Sequence, residues 1–427
     1  MVMSYKPINY CFSEGKEGES VNLRGWVHRL RIQKNNVFLT LRDSSGIIQC
    51  ILPNTPENSK VTMESSIELQ GSLKKDLRSP GGYELHGDAM NIVGRAENYP
   101  LATGNFSQEL LNDQRHLWNR STKMTAIMKV KAEIMKAGRE WFNTSGWYEV
   151  TPPIVNKSAC EGGSTLFELK FFDDKAYLSQ SAQLYLESLI YSLENVWSIT
   201  PSFRAEKSKT SRHLAEYWHL EGERAWATFD DILSVEEQLI TYISNTVAER
   251  RAKELQVLGR NPDDLKKVQV PFERIPYAEV IKFLQSKGKN IQLGDDLGTD
   301  EERLLTIDSD KPVFIYGAPI AIKPFYAKAD PIDPTMALSA DKIAPRGLGE
   351  ISTGGQREED LEEIVRRIKK ENFDPKDYSW YLDLRRYGSV PHSGFGFGLE
   401  RLTRWICNLE HIRDAIPFPR SMARSYP

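Results

Sequence analysis

Cysteine is scarce in this sequence, and its spacing excludes two classes of protein. The chain has four cysteines in 427 residues, and no two of them form a CxxC pair. This spacing fits neither a disulfide framework nor a zinc site, and it is typical of proteins that fold in a reducing compartment. The cysteines are Cys11, Cys50, Cys160 and Cys407.

The sequence also lacks an excess of charge of either sign and any long apolar run. Lys and Arg total 56 against 59 for Asp and Glu, so a nucleic-acid-binding site would have to be a local basic patch. No stretch approaches the roughly 20 consecutive apolar residues of a membrane span, and the start MVMSYKPINY lacks the apolar core of a signal peptide. We therefore expect a cytoplasmic protein without a membrane partner.

The composition that remains is that of a globular protein with several domains. Hydrophobic residues make up 40% of the chain and charged residues 27%, which is enough apolar material for a sizeable core. At roughly 100 to 200 residues per domain, the length predicts two or three domains.

Five short β-rich runs separated by turn residues lie between positions 21 and 93. They read VNLRGWVHRLRI, NVFLTLRD, GIIQCIL, SIELQGSL and YELHGDAMNIV. This strand count predicts a closed OB-fold barrel, with another small barrel or sandwich as the alternative. Turn formers around Pro100 end the pattern, so we place this domain at 1–103 and a linker at 104–121.

The remainder, 122–427, mixes strands and helices without a helix between each pair of strands. The helical runs are 126–141, 182–193, 229–254, 277–286 and 358–370, and the strand-like runs include AYLSQS, VWSITPSFRAE, YWHLEGERAW and SWYLDLRRYGSV. This order predicts an antiparallel sheet flanked by helices, and hence an α+β protein. A polar stretch at about 255–320 is interpreted as an insertion into that sheet.

One segment, FRAEKSKTSRHLAEYWHLEGE, combines cations and carboxylates in a predicted hairpin. It begins at Phe203 and ends at Glu223. Arg guanidinium groups contact phosphate oxygens in pairs and neutralise charge during nucleotidyl transfer, so this hairpin could hold a polyphosphate. A solvated charged hairpin is the alternative.

A second segment, GSVPHSGFGFGLERL, has glycines at 394, 396 and 398 along a predicted strand before Arg401. It lacks the third glycine of the dinucleotide fingerprint, because Leu399 stands at that position. Alternating glycines leave one strand face bare, so a flat adenine could lie on the backbone with Arg401 above it. Close packing between strand and helix would explain the same pattern.

The order of three segments resembles the class II aminoacyl-tRNA synthetases, in the subgroup for aspartate, asparagine and lysine. GWYEVTPP resembles motif 1, FRAE with RHLAEY resembles motif 2, and GFGFGLER resembles motif 3. The resemblance spans nearly the whole chain, because an OB-fold domain precedes the catalytic domain in this subgroup. It implies an antiparallel catalytic sheet, ATP-dependent activation of an amino acid, transfer to tRNA, and a homodimer with Pro153 near the interface.

The resemblance also implies roles in ATP binding. Arg204 would hold the α-phosphate, His213 and Arg401 would hold the outer phosphates, and Tyr217 would stack on adenine. Leu214 and Glu350 complete this ATP-binding set.

Further roles concern catalysis and the metal. By the same resemblance, Arg212 and Glu206 would brace the motif 2 loop and act with Arg204 and Arg401 in catalysis. The segment GEISTGGQRE resembles the metal segment, so Glu350 and Thr353 would bind Mg²⁺. Carboxylate and hydroxyl oxygens suit this ion.

The run YLSQSAQLYLE bears on which amino acid is activated. The similar run of the aspartate enzymes has a lysine where Leu186 stands here, and burying a substrate carboxylate without a cation is costly. Glu187 resembles the acidic residue that accepts the amide of asparagine, and Arg357 would donate to the side-chain carbonyl. Glu161 and Gln183 would receive the α-ammonium. In the alternative, Glu187 is an exposed helix residue and Leu186 belongs to the core.

A local basic strip lies in the predicted barrel. Five cations and no carboxylate occur between positions 24 and 42: Arg24, Arg29, Arg31, Lys34 and Arg42. Phe38 could stack on an unpaired base and Gln49 could read its edge, with Arg31 as the nearby cation. This spacing resembles the anticodon-binding pair of the subgroup. A core aromatic is the alternative for Phe38.

These observations favour L-asparagine, ATP, Mg²⁺ and tRNA(Asn) as the substrates and partners. Three alternatives stay open: an aspartate enzyme, which could charge both tRNAs; a relative that makes free asparagine; and an RNA-binding relative without catalysis. The barrel argues against the second, and Arg204, Glu350 and Arg401 argue against the third.

Overall fold

A computed structural model describes residues 4–102, 104–160, 165–207, 210 and 212–427. The chain divides into two compact units, Met1–Gln108 and Glu109–Pro427. Within the described residues, no helix is both long and apolar enough to cross a lipid bilayer.

The first unit contains a closed barrel of five strands in the order β1-β2-β3-β5-β4. The strands are β1 (Ser20–Ile32), β2 (Asn36–Arg42), β3 (Ile47–Pro53), β4 (Ser66–Lys75) and β5 (Tyr83–Gly94), preceded by the short helix α1 (Tyr10–Ser13). Apolar residues alternate with polar ones along β2 and β3, so every second side chain enters the core. The predicted OB-fold is confirmed.

The second unit contains an eight-stranded sheet in the order β12-β13-β14-β15-β16-β11-β10-β6 and a small sheet in the order β7-β9-β8. The strands are β6 (Tyr148–Glu149), β7 (Val155–Asn156), β8 (Glu168–Phe171), β9 (Asp174–Leu178), β10 (Asn195–Phe203), β11 (Glu216–Ala225), β12 (Glu273–Pro276), β13 (Val313–Tyr316), β14 (Ser339–Ala344), β15 (Gly349–Gln356) and β16 (His392–Gly398). Neighbouring strands of the large sheet are antiparallel except at its two edges, where β12 pairs with β13 and β6 with β10 in parallel. The predicted α+β class with an antiparallel sheet is confirmed.

Helices cover the large sheet and connect its strands. They are α2 (Gln108–Asp113), α3 (Arg115–Trp118), α4 (Thr122–Thr144), α5 (Gln183–Leu193), α6 (Phe229–Arg250), α7 (Ala252–Val257), α8 (Pro262–Lys266), α9 (Tyr277–Ser286), α10 (Thr299–Thr306), α11 (Leu361–Lys370), α12 (Ser379–Arg386) and α13 (Leu399–Ile406). A capping box between Thr228 and Asp231 satisfies the first turn of α6 and explains where that helix begins. The buried faces of α4 and α6 share one hydrophobic core with the sheet.

The segment 255–320, which the sequence left without a role, contributes strands to the large sheet. β12 and β13 extend the sheet at one edge, and α9 and α10 lie between them in sequence. The segment is therefore continuous with the large sheet through backbone hydrogen bonds.

One predicted strand is wrong. SWYLDLRRYGSV begins with α12 instead of a strand. The buried side chains of this helix, Tyr381, Leu382 and Arg385, are spaced by one and then three residues, so a helix places them on one face. The aromatic and apolar content of the run, which favours strands, misled the interpretation.

A buried ion pair lies on the side of the sheet that faces α6. The Nζ of Lys342 is 3.3 Å from a carboxylate oxygen of Glu236, and both side chains are almost completely buried. Burial lowers the pKa of Lys342 to about 8, although Glu236 opposes this change. Burial also raises the pKa of Glu236. Both charges are therefore costly to bury, and each depends on the other.

We expect Glu236→Gln to lower the free energy of unfolding by about 3 to 5 kcal/mol, because Lys342 then remains buried without a counter-charge. Adding Lys342→Met to that variant should restore most of the loss. Urea denaturation followed by tryptophan fluorescence measures both. Lys266→Met, which breaks an exposed pair with Asp263, is the matched control and should change the value by less than about 1 kcal/mol. A Glu236→Gln variant as stable as this control would contradict the prediction.

Candidate active site

Alternate residues of neighbouring strands face one cavity of about 560 Å³ in the second unit. On β11 the residues are Tyr217, His219 and Glu221, and the strand register places Gly398 and Gly396 of β16 opposite the last two. Side chains alternate between the faces of a sheet, so these positions share a face.

The neighbouring strands continue the same face. Gly396 is opposite Thr353 on β15, and Thr353 is opposite Asp341 on β14. The intervening residues, among them Leu220 and Phe397, belong to the hydrophobic core on the other face. The sheet thus separates a polar cavity from the core.

The glycines of motif 3 keep the surface of the cavity open. A Cβ at Gly396 would lie 2.7 Å from Nε2 of His219, and a Cβ at Gly394 would lie 1.9 Å from a carboxylate oxygen of Glu223. Neither position therefore has room for a side chain. The face of β16 that borders the cavity has glycine at positions 396 and 398, and this is the strand on which the sequence predicted a flat ligand.

Cations gather at one end of this face. Arg204 follows β10, and its guanidinium carbon lies 5.7 Å from the ring centroid of Tyr217. Arg401, in the first turn of α13, lies with Nη1 3.1 Å from Oε1 of Glu350. Arg212 lines the same cavity, so three guanidinium groups border one space.

The titratable groups at this end respond to these cations. Burial lowers the pKa of His213, and the positive charge of Arg401 acts in the same direction. Burial alone would raise the pKa of Glu350, but Arg401 and Arg204 hold it below its usual value. The cationic end is therefore electrostatically suited to an anion.

Two further predicted residues lie beside this end. Leu214 packs with Ile412 and Ile416 in a small buried cluster, and it borders the cavity. Glu206 is exposed and lies with Oε2 3.9 Å from Nε2 of His213. The structure brings both together with the other predicted ATP-binding residues.

The predicted metal ligands are adjacent. Oγ1 of Thr353 donates to Oε1 of Glu350 at 3.2 Å and lies 2.9 Å from Oδ1 of Asp341. Within the described ranges, no three His, Cys, Asp or Glu side chains are grouped as a preformed metal site. Hard oxygens without a complete protein cage fit Mg²⁺, which usually keeps waters and phosphate ligands.

Arg357 lies at the opposite end of the cavity face and has a buried partner. Its Nε is 3.2 Å from both carboxylate oxygens of Glu223, and its Nη2 also donates to Glu223. Gln356, next to Arg357, is six positions beyond Glu350 along β15, which corresponds to about 20 Å. The Arg357–Glu223 pair is thus remote from the cationic end.

The structure places Glu187 outside the cavity lining. Its carboxylate is completely buried and accepts hydrogen bonds from Tyr381 and Arg385, each at 2.7 Å, and from Gln183 at 3.0 Å. His392 lies 3.0 Å away. The predicted contact of Glu187 with a substrate amide stays a prediction, and Glu223, the buried partner of Arg357, is likewise outside the cavity lining. The alternative of an exposed Glu187 is wrong.

The other residues predicted for the amino-acid pocket lie in different surroundings. Gln183 is buried and lines the cavity, whereas Leu186 belongs to a hydrophobic cluster. Glu161 lies outside the described residues.

Three acidic residues that border or support the cavity were missed as site residues in the sequence. They are Glu223 on β11, Asp341 on β14 and Glu302 on α10. Glu221 and Glu223 are two residues apart, so their period of two was the available signal for a shared face. No local pattern distinguishes Asp341 or Glu302 from an ordinary surface carboxylate.

In the first unit, the predicted RNA-binding residues share the outer face of the barrel. Phe38 is half-buried between the core residues Val37 and Leu39, so its ring points away from the core. The register pairs Phe38 with Arg31 of β1, and Gln49 lies two positions along the adjacent β3. Phe38 is therefore not a core aromatic.

Comparison with known proteins identifies the families that the two units match. Residues 107–422 match the family of class II tRNA synthetases for D, K and N, and residues 21–93 match the OB-fold nucleic acid binding domain. An asparagine–tRNA ligase of Thermococcus kodakarensis is 52% identical over 420 residues, covering 96% of this chain and 97% of the relative.

Solved structures agree. Asparaginyl-tRNA synthetase from Pyrococcus horikoshii complexed with asparaginyl-adenylate is 49% identical, with a TM-score of 0.96 and 100% of both chains covered. The Entamoeba histolytica asparaginyl-tRNA synthetase in complex with asparaginyl-adenylate is 30% identical, with a TM-score of 0.90 and 100% of both chains covered. These comparisons support the asparagine assignment and not the aspartate alternative. The chain belongs to the asparagine–tRNA ligases, enzymes that form aminoacyl-tRNA within the class II tRNA synthetases.

Proposed function

We propose that the cavity binds ATP and L-asparagine end to end and forms asparaginyl-adenylate, which then reacts with tRNA(Asn). The observation that carries this proposal is the polarity of the cavity. Three guanidinium groups border one end, and the buried Arg357–Glu223 pair lies at the other. The first end suits a triphosphate, and the second suits a small side chain that both donates and accepts hydrogen bonds.

The phosphate roles follow from the cationic end. Arg204 contacts the α-phosphate, while His213 and Arg401 contact the outer phosphates, and Tyr217 stacks on adenine beside the bare strand of motif 3. The small buried cluster that contains Leu214 packs against Tyr217 and thereby holds the ring of Tyr217 in place. Positive charge held in place before the reaction stabilises negative charge that develops on the phosphates.

Glu350 and Thr353 would hold Mg²⁺, with Asp341 beside them. An ion held there would supply positive charge that neutralises charge on the phosphates. Arg212 and Glu206 brace the motif 2 loop next to this position.

The side chain of asparagine is read by Arg357 and Glu223. Arg357 donates to the amide carbonyl, and the Glu223 carboxylate accepts from the amide –NH₂. A carboxylate at this position repels the carboxylate of aspartate. Gln183, with Glu161 as a prediction outside the described residues, receives the α-ammonium.

The reaction needs no covalent protein nucleophile. The asparagine carboxylate attacks the α-phosphorus of ATP in line, the bond to the bridging oxygen breaks, and pyrophosphate leaves with the electron pair. The terminal ribose hydroxyl of tRNA then attacks the carbonyl carbon of the adenylate and loses its proton, the bond from that carbon to the phosphate oxygen breaks, and AMP leaves with the electron pair. Catalysis comes from positioning and charge neutralisation.

The outer face of the barrel contacts the anticodon of tRNA(Asn). Phe38 stacks on one base, Gln49 reads its edge, and Arg31 neutralises a nearby phosphate. Single-stranded bases are the usual ligands of this face in OB-folds.

We expect Phe38→Ala to raise the KM for tRNA(Asn) by about tenfold to a hundredfold, because a base stacked on an aromatic ring contributes about 1 to 3 kcal/mol. ATP–pyrophosphate exchange without tRNA should keep its wild-type rate. Phe38→Tyr, which keeps an aromatic face, is the control and should retain most of the affinity. A KM for tRNA that is unchanged in Phe38→Ala would exclude stacking.

The chain forms a homodimer through motif 1. β6 is the edge strand of the large sheet, and Tyr148 on β6 is exposed, as are Ile154 and Val155 beyond Pro153. Exposed apolar side chains along a sheet edge suit pairing with a second copy. Light scattering on the purified protein should give twice the mass of the 48.8 kDa chain, and a monomer mass would contradict this.

ATP–pyrophosphate exchange tests the proposed activation step. Asparagine and aspartate are compared in parallel with Mg²⁺, first without and then with tRNA(Asn). We expect exchange with asparagine alone. Exchange with aspartate would contradict the assignment of the side-chain pocket, and exchange with neither amino acid under both conditions would contradict activation itself.

A further inference from the structure

Glu302 is a buried carboxylate at the cavity that belongs to none of the three motifs. It lies on α10, within the segment 255–320, and its side chain is 5% exposed. It borders the cavity beside the cationic end. A buried carboxylate needs partners that compensate for its lost hydration, and both of its partners belong to the proposed ATP site.

One oxygen of Glu302 contacts two separate segments of the sequence. Oε2 accepts a hydrogen bond from the backbone N–H of Glu350 at 2.9 Å, and it also accepts from Nη1 of Arg212. Glu350 belongs to the metal segment and Arg212 to motif 2. A single carboxylate therefore fixes the metal segment and the motif 2 arginine relative to each other.

The backbone beside this contact leaves room only for glycine. Gly349 has a φ of +83°, and a Cβ there would lie 2.9 Å from Oε2 of Glu302 and 3.2 Å from Nη1 of Arg212. The left-handed conformation is one that glycine adopts at little cost. The close approach of the carboxylate and the guanidinium is thus built into the start of β15.

Arg212 keeps donors that Glu302 does not use. A guanidinium has five N–H groups in a fixed plane, so holding Nη1 sets the direction of the others. In the part of the chain that the structure describes, Nε of Arg212 is buried and has no hydrogen-bond partner. A buried donor of this kind, on a residue that borders the cavity, indicates an acceptor supplied by a ligand.

We propose that Glu302 is a positioning residue for ATP, which holds Arg212 against the metal segment so that its remaining donors face the outer phosphates. The segment 255–320 thereby contributes to the active site through Arg212. The inference rests on the proposed function, because it takes the anion of the cavity to be the triphosphate of ATP.

The test compares Glu302→Gln with Glu301→Gln. Glu301 is the adjacent carboxylate on the same helix, and it pairs with Lys289 at 3.0 Å instead of with the cavity residues. We expect Glu302→Gln to raise the KM for ATP in pyrophosphate exchange by about tenfold, because a charge-assisted contact becomes a neutral one. The KM for asparagine should stay within about twofold, and Glu301→Gln should resemble the wild type.

A double variant separates positioning from a merely structural role. If Glu302 acts through Arg212, Glu302→Gln should have little further effect once Arg212→Ala is present, because residues that act together are not additive. Full additivity of the two substitutions would overturn the inference. An equal rise in the KM for asparagine would also overturn it.

Two controls distinguish a specific loss of ATP affinity from a general loss of folding. Glu302→Asp retains the charge and should restore part of the affinity for ATP, and thermal unfolding of every variant identifies any that fail to fold. Calorimetric titration with ATP measures binding without catalysis. If the wild type shows no exchange with asparagine, the proposed function fails, and equal ATP affinity of wild type and Glu302→Gln would separately overturn the role of Glu302.

Discussion

Replacing Arg204 by Ala is expected to slow asparagine-dependent ATP–pyrophosphate exchange by about a thousandfold, because preorganised charge at the reacting phosphate is lost. Arg204 is held by the end of β10 and lies over the ring of Tyr217, so it is in place before ATP binds. The loss should appear mainly in kcat, because charge on the α-phosphate develops in the transition state. The KM for asparagine should change little, since Arg204 is proposed to contact ATP, whereas Arg357 is proposed to contact the side chain of asparagine.

The matched control for this variant is Lys207→Ala. Lys207 is an exposed cation of the same hairpin and does not border the cavity. Its removal changes the net charge by the same amount and should leave the exchange rate near that of the wild type. A near-normal rate in Arg204→Ala would remove Arg204 from the phosphate site.

The second large effect concerns the choice between asparagine and aspartate. Glu223→Gln should lower the ratio of kcat/KM for asparagine over aspartate by about a hundredfold, or about 3 kcal/mol. The variant removes the charge that repels the aspartate carboxylate, and it leaves the positive charge of Arg357 without its buried partner. The amide oxygen of Gln can still accept from asparagine, so some activity with asparagine should remain.

Glu187→Gln distinguishes this assignment from the one that the sequence suggested. Glu187 is equally buried, but its partners are Arg385, His392, Tyr381 and Gln183. Neutralising Glu187 leaves Arg385 without a counter-charge, so the midpoint of thermal unfolding should fall. The ratio of kcat/KM for asparagine over aspartate should stay at the wild-type value. A changed ratio in Glu187→Gln together with an unchanged ratio in Glu223→Gln would reverse the assignment.

Most of the fold could be predicted because its signals are local. The barrel follows from strand runs in which every second residue is apolar, and α9 begins and ends at the predicted residues Tyr277 and Ser286. The prediction failed for α12, because its short aromatic run is compatible with either period. There, packing of Tyr381 and Leu382 in a buried cluster decides the helix.

The cationic end of the site could also be predicted, because its residues are concentrated in two motifs. Arg204, Arg212 and His213 lie within ten residues of one another, and a hairpin brings such residues together whatever surrounds it. Of the proposed side-chain pocket, Arg357 was predicted and Glu223 was not. These two residues are 134 positions apart in the chain, so no local pattern connects them.

The sequence by itself determined the class of the protein and the order of its OB-fold and synthetase domains, because these depend on local periodicity and on motifs. Only the tertiary structure decided which cation each buried carboxylate pairs with. Glu187 and Glu223 are both acidic and both completely buried, but the register of β11 beside β16 places one against Arg357, while α12 gives the other to Arg385. The partner of a buried charge is set by contacts between distant segments, and in the low-dielectric interior that partner determines whether the charge meets a ligand or the protein.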